Sequence, residues 1–187
     1  MPLIPEKDVA KKFDFDAIKS LTTKTDAGTD ISFSIWDYGG QEVFYTLHHI
    51  FLSREGVYLL VFDMCKLTKE TEKSLEFLQF WLNSVKLHAP GAPIIMVGTR
   101  MDQLSNENSD LKKVNQFLRD GLQIVDFNIV ENRTKELFFF PIDNMKKLSK
   151  EALNLRQIVL DAARGLDCVD RQVPLTRLKV LDVLFFL

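Results

Sequence analysis

The sequence predicts an α/β fold, a mostly parallel sheet flanked by helices, and three observations lead there. Short apolar runs bounded by turn residues alternate with longer stretches in which apolar residues recur at helical spacing. Two of the runs, Gly56–Asp63 and Pro93–Val97, are apolar almost throughout, as strands buried on both faces are. Acids, amides and hydroxyls stand at the C-terminal ends of the candidate strands, the edge where open α/β sheets bind ligands.

The first strand is read over Asp30–Trp36, where Ile31, Phe33 and Ile35 alternate with Ser32, Ser34 and Trp36. A period of two marks a half-buried strand. It ends in Asp37-Tyr38-Gly39-Gly40-Gln41, and the following segment, with His48 and His49, is read as a helix. Gly56–Asp63 is the next strand, itself closing on an acid. Thr68-Lys69-Glu70-Thr71 reads as a helix start; Leu75, Leu78, Leu82 and Val85 then form a stripe, and Pro90-Gly91 ends it. Pro93–Val97 runs into Gly98-Thr99-Arg100-Met101-Asp102. Ser109 is read as the cap of a helix presenting Leu111, Val114, Phe117, Leu118 and Leu122. Asp126–Lys135 is a polar connector to a strand over Glu136–Phe140, followed by Pro141-Ile142-Asp143-Asn144. Ser149 caps the last helix, whose Ala152, Leu155, Ile158, Val159 and Ala162 face inward, and Gly165 stops it.

Two strand ends carry distinctive chemistry. An acid in the position of Asp37 can hold a metal ion through water. A glycine in the position of Gly40 lets a backbone N–H approach a phosphate with no Cβ in the way. An amide such as Gln41 can then orient a water for attack. Turns of this composition are common, so an ordinary strand-to-helix turn is the competing reading. At the other strand end, the Asp102 carboxylate can accept two hydrogen bonds from guanine N1 and N2, which adenine does not offer. Such a site discriminates because the wrong base leaves the carboxylate unpaired. The alternative there is a capped turn, with Asp102 starting the next segment.

On these residues the chain from Ile18 to Asn144 resembles the Roc domain, the Ras-like GTPase module of the Roco proteins. The matching stretches are Ile35-Trp36-Asp37-Tyr38-Gly39-Gly40-Gln41-Glu42, Phe44-Tyr45-Thr46-Leu47-His48, Val57–Asp63, Val97–Asp102 and Phe139–Asn144. Arg171–Leu178 looks like the opening of the COR domain that follows Roc in those proteins. The resemblance implies a Ras-like P-loop GTPase fold that binds GTP or GDP with Mg²⁺. Asp37 would act through Mg²⁺, Gly40 would sense the γ-phosphate and Gln41 would place the catalytic water. Thr99 and Asp102 would frame the guanine, with Asp143 and Asn144 supporting it from the other side. Arg100 replaces the Lys usual in Ras proteins, and its alkyl stem would cover the base. The domains implied are a non-matching segment over 1–12, a partial Roc domain over 13–168 and the start of a COR domain over 169–187. Guanine nucleotide, the COR and other Roco domains, and a second copy in a dimer are the implied partners.

A phosphate-binding loop reads Gly-x-x-x-x-Gly-Lys-Ser/Thr, so that backbone N–H groups wrap the phosphates and the Lys reaches the terminal ones. Here the glycines are Gly28, Gly39, Gly40, Gly56, Gly91, Gly98, Gly121 and Gly165, and none is followed by Lys. The stretch Phe13–Leu21 resembles the end of the first switch and the start of the second strand. The expectation is a Roc domain lacking its first strand and phosphate loop, whose nucleotide binding and GTP hydrolysis are weak. A non-catalytic interaction module is the alternative function.

Composition sets the remaining bounds. A net charge of −2 offers no electrostatic footprint for nucleic acid or an anionic membrane. Cys65 and Cys168 fall at no metal or disulfide spacing and read as reduced thiols of a cytoplasmic protein. His48, His49 and His88 lack companions at metal-ligand spacing, and no apolar run reaches membrane-spanning length.

Overall fold

The structure, a computed structural model, describes residues 31, 33–38, 52–146 and 149–169. Gly40, Gln41, the expected helix with His48 and His49, the stretch Phe13–Leu21 and the COR-like tail lie outside the described residues. The chain divides into two compact units, Met1–Tyr38 and Gly39–Leu187.

In the first unit the described residues carry neither strand nor helix, which corrects the strand expected over Asp30–Trp36 at 31 and 33–36; Asp30 and Ser32 lie outside the described residues. Phe33 and Ile35 are 40 and 76% exposed, so the alternation does not mark a buried face. Periodicity states which side of a strand would be buried; only pairing with another backbone makes the strand.

The second unit holds, among the described residues, a sheet of parallel strands β1 (Tyr58–Asp63), β2 (Ile94–Thr99) and β3 (Phe140–Pro141), in the order β1-β2-β3. Tyr58 lies opposite Ile94 and Asp63 opposite Thr99, while Gly98 lies opposite Pro141, so the three C-terminal ends come level. β2 is buried on both faces, as its unbroken apolar run predicts. Ile94 and Met96 join a core built with Phe62, Leu78, Leu82, Val114, Leu118 and Phe139. Helices α1 (Met64–Lys69), α2 (Thr71–His88) and α3 (Glu107–Gly121) supply that side. Ile95, Val97 and Phe140 face the other way, against Leu155, Ile158, Val159 and Ala162 of α4 (Lys150–Arg164). Each such side chain, fully buried, is worth about 1.5–3 kcal/mol, and β2 spends its apolar residues on both layers at once. This α/β arrangement is consistent with the Ras-like fold.

Several boundaries differ from expectation. Helix begins directly after β1, because the Asp63 carboxylate accepts the N–H groups of Cys65 and Lys66 at 2.9 and 3.0 Å. Thr68 closes that first helix instead of opening the next, its hydroxyl donating to the Cys65 carbonyl at 2.9 Å. Asn106, not Ser109, caps α3: its side-chain oxygen accepts the Ser109 N–H at 3.2 Å. The last strand shrinks to Phe140–Pro141, because Glu136 takes a left-handed φ of 55° and Leu137 pairs antiparallel with Asn132. The connector before it is partly sheet-like, with Ile129 bridged in parallel to Ile94. Ser149 does cap α4, its hydroxyl accepting the Ala152 N–H at 3.1 Å. None of the described helices is long and apolar enough to cross a membrane.

Candidate functional site

The level ends of β1, β2 and β3 bring together Asp63, Thr99, Arg100, Asp102, Asp143 and Asn144. The chain after β3 is laced to the end of β2. Ile142 N–H donates to the Gly98 carbonyl at 2.8 Å, and Met101 N–H donates to the Ile142 carbonyl at 3.2 Å. Pro141 has no N–H to offer, so Ile142 carries the ladder onward. Beyond Thr99 the backbone turns sharply: Arg100 sits at φ 64°, and Met101–Gln103 make a single tight helical turn with Asp102 in its middle.

The side chains of Thr99 and Arg100 reach back to the end of β1. The Thr99 hydroxyl donates to the Phe62 carbonyl at 3.0 Å, and Arg100 Nε lies 3.1 Å from Asp63 Oδ2. Both side chains are tied to the end of β1, which leaves Asp102 as the exposed carboxylate of the turn. Asp143 is only 4% exposed. Its carboxylate accepts the Met145 N–H at 2.9 Å and pairs with Lys146 Nζ at 3.1 Å. The Met145 N–H first, and then the Lys146 ammonium, hold the Asp143 carboxyl below the usual carboxylate range. Lys146 is raised in return, mainly by Asp143, with Glu151 and Asp102 adding through their charges. Asn144, at the tip of this turn, is exposed.

A carboxyl with a depressed folded pKa contributes stability that is present above its ordinary value and lost as pH falls through the folded one. Asp143 is therefore expected to matter near neutrality and to cease mattering in strong acid. Urea unfolding of Asp143→Asn should show a lower midpoint than the parent near pH 7 and converge with it in strong acid, as the folded carboxyl takes up its proton. A gap that persists unchanged in acid would trace the loss to shape instead of charge.

Asp37 is exposed in the first unit. Among the described residues no group of three or more His, Cys, Asp or Glu is placed to hold a metal ion. A cavity of about 900 Å³ opens at the opposite end of the strands, between residues preceding β1 and β2 and the end of α4, and contains none of these residues. Sequence reasoning missed Asp63 and Lys146. The only available signal for Asp63 was an acid closing a strand; its link to Arg100 depends on the register.

A family model described as Roc, "Ras of Complex, Roc, domain of DAPkinase", matches residues 6–102, more than half of the chain. The probable serine/threonine-protein kinase pats1 of Dictyostelium discoideum is 40% identical over 84 residues, 45% of this chain and 2% of that protein. The probable serine/threonine-protein kinase roco5 of the same organism is 34% identical over 91 residues, 49% of this chain and 3% of its own length. The leucine-rich repeat serine/threonine-protein kinase 1 of Caenorhabditis elegans is 33% identical over 79 residues, 42% and 3% respectively. The chain thus spans a few per cent of the length of these relatives.

Proposed function

Because the chain belongs to the Roc family, a GTPase-like module, we propose that it recognises guanine nucleotide through Asp102. The observation that carries this is an exposed carboxylate at the level ends of a parallel sheet, on a turn tied to both neighbouring strands. Its two oxygens match the two donors on the guanine edge. Thr99 and Arg100 serve by placing the turn, since their side chains are engaged with β1. Asp143 acts in the same way by closing the turn that presents Asn144 to the other side of the base. On the phosphate side the family positions are Asp37, Gly40 and Gln41. Asp37 would hold Mg²⁺ through water, and the ion would neutralise phosphate charge when bound. Gly40 would offer its N–H to the γ-phosphate and Gln41 would place the attacking water in GTP hydrolysis. The COR domain, other Roco segments and a second copy are the partners this reading proposes.

The second reading is a Roc module that works by protein contact. Base choice separates the two. Titrations with millimolar GDP, XDP and ADP, followed by NMR, should show GDP preferred over ADP by the unaltered chain. Asp102→Asn should lose about tenfold or more for GDP, each charge-assisted bond being worth about 1.5–3 kcal/mol, and should gain for XDP. Equal binding of GDP and ADP would refute the assignment of Asp102, and no binding of either would leave the contact reading standing.

A further inference from the structure

Asp63 has no place in the nucleotide reading above, yet its carboxylate is divided between two elements. Oδ1 accepts the N–H groups that begin α1, at 2.9 and 3.0 Å from Cys65 and Lys66. Oδ2 stands 3.1 Å from Arg100 Nε. The next tie along the same strand ends is the Thr99 hydroxyl on the Phe62 carbonyl. Arg100 holds a left-handed backbone, φ 64°, which a residue with a Cβ keeps only where its surroundings impose it. That residue is the hinge of the turn: Gln103 N–H donates to the Arg100 carbonyl at 3.1 Å and Leu104 N–H to the Met101 carbonyl at 3.2 Å. A small rotation at Arg100 swings Asp102, and a carboxylate that must meet two donors at once tolerates little swing.

We propose that Asp63 is a positioning residue for base recognition: acting through Arg100, it fixes the turn that carries Asp102. The inference rests on the guanine-binding reading. The bland alternative is that Asp63 only caps α1 and that its contact with Arg100 is an idle surface pair, as many partly exposed pairs are. Two substitutions separate these roles. Asp63→Asn keeps a side-chain oxygen for the cap, where Asn serves as well as Asp, and removes the charge that faces Arg100. Arg100→Gln removes the same pair from the other side and leaves the cap untouched.

The full chain, both single variants and the double variant are compared by amide exchange and by NMR titration with GDP and ADP. Either single variant should speed exchange at Met101, Gln103 and Leu104 by about fivefold, the full worth of an exposed ion pair, with α1 unchanged. The double variant should go no further, because both changes remove one interaction. The preference for GDP over ADP should fall by a similar factor. Faster exchange in α1 with the turn unmoved would make Asp63 a cap alone and overturn the inference. Additive effects in the double variant, or a loosened turn with undiminished base preference, would do the same. Exchange needs no nucleotide, so equal binding of GDP and ADP by the unaltered chain refutes the guanine reading, while the exchange pattern still decides whether Asp63 holds the turn.

Discussion

Titrated with GTP in the presence of Mg²⁺, the 187-residue chain is expected to show a dissociation constant no tighter than the high-micromolar range. Phosphate-loop proteins hold the charged end of the nucleotide with a Lys, a Ser/Thr ligand to Mg²⁺ and several backbone N–H groups. None of the glycines of this chain is followed by Lys, so that set of groups is not in the sequence. Hydrogen bonds to charged groups are worth about 1.5–3 kcal/mol each, and three or four together about 5–10 kcal/mol. At about 1.4 kcal/mol per decade this is a loss of roughly 4–7 decades of affinity. The base edge returns only part of it, because Asp102 is exposed and competes with water for the same donors. Isothermal calorimetry decides the matter. A sub-micromolar constant would mean that another segment supplies the phosphate contacts, with Asp26–Asp30 and its Gly28 the first to substitute.

The parts of this molecule that could be read from sequence are those in which a local pattern has one structural solution. The run Pro93–Val97 can satisfy burial on both faces only as an inner strand, and Ile94–Thr99 is one. The stripe Leu78, Leu82, Val85 needed only helical periodicity, and all three are buried. Caps were harder, since several polar residues precede each helix and the choice among them depends on where the preceding strand ends. Asp63 starts a helix that the sequence reading did not separate, because β1 delivers its carboxylate directly to the N–H groups of Cys65 and Lys66, while α2 follows Glu70 with no side-chain cap. The alternation of Ile31, Phe33 and Ile35 misled for a different reason: pairing lies outside the segment, and the segment cannot announce it. At the site, Asp102 was legible as an acid after a strand. The ties of Thr99 and Arg100 to β1 were not, since they follow from the register that sets Asp63 opposite Thr99.

Replacing Gly98 is expected to unsettle both the core and the turn. An ideal Cβ at this position would lie 2.8 Å from Met64 Cγ, 2.9 Å from its Sδ and 2.9 Å from Phe139 Cδ2. Met64 and Phe139 are fully buried, and Phe139 is further held edge-on against Phe62 with ring centroids 5.5 Å apart. A thioether is flexible and can shift a few tenths of an ångström, whereas the ring has packed neighbours on its far side. Gly98→Ala should therefore lose about 1–3 kcal/mol through overpacking, offset by about 0.5–1 kcal/mol from the stiffer unfolded chain. Gly98→Val adds two further methyl groups to the same space and should approach the effect of Phe139→Ala, about 3–5 kcal/mol. Against a whole-domain stability of about 5–15 kcal/mol, that is enough to unfold a large fraction of the molecules on warming. The two effects should not add: with the ring removed, the valine has room, and the double variant Gly98→Val with Phe139→Ala should be more stable than the sum of the singles implies. Urea unfolding of the four proteins measures the cycle. A Gly98→Ala midpoint at or above that of the parent would show that Met64 gives way freely. In that case the missing Cβ at Gly98 would answer to the path of the chain into Thr99 and Arg100 instead of to the packing beneath it.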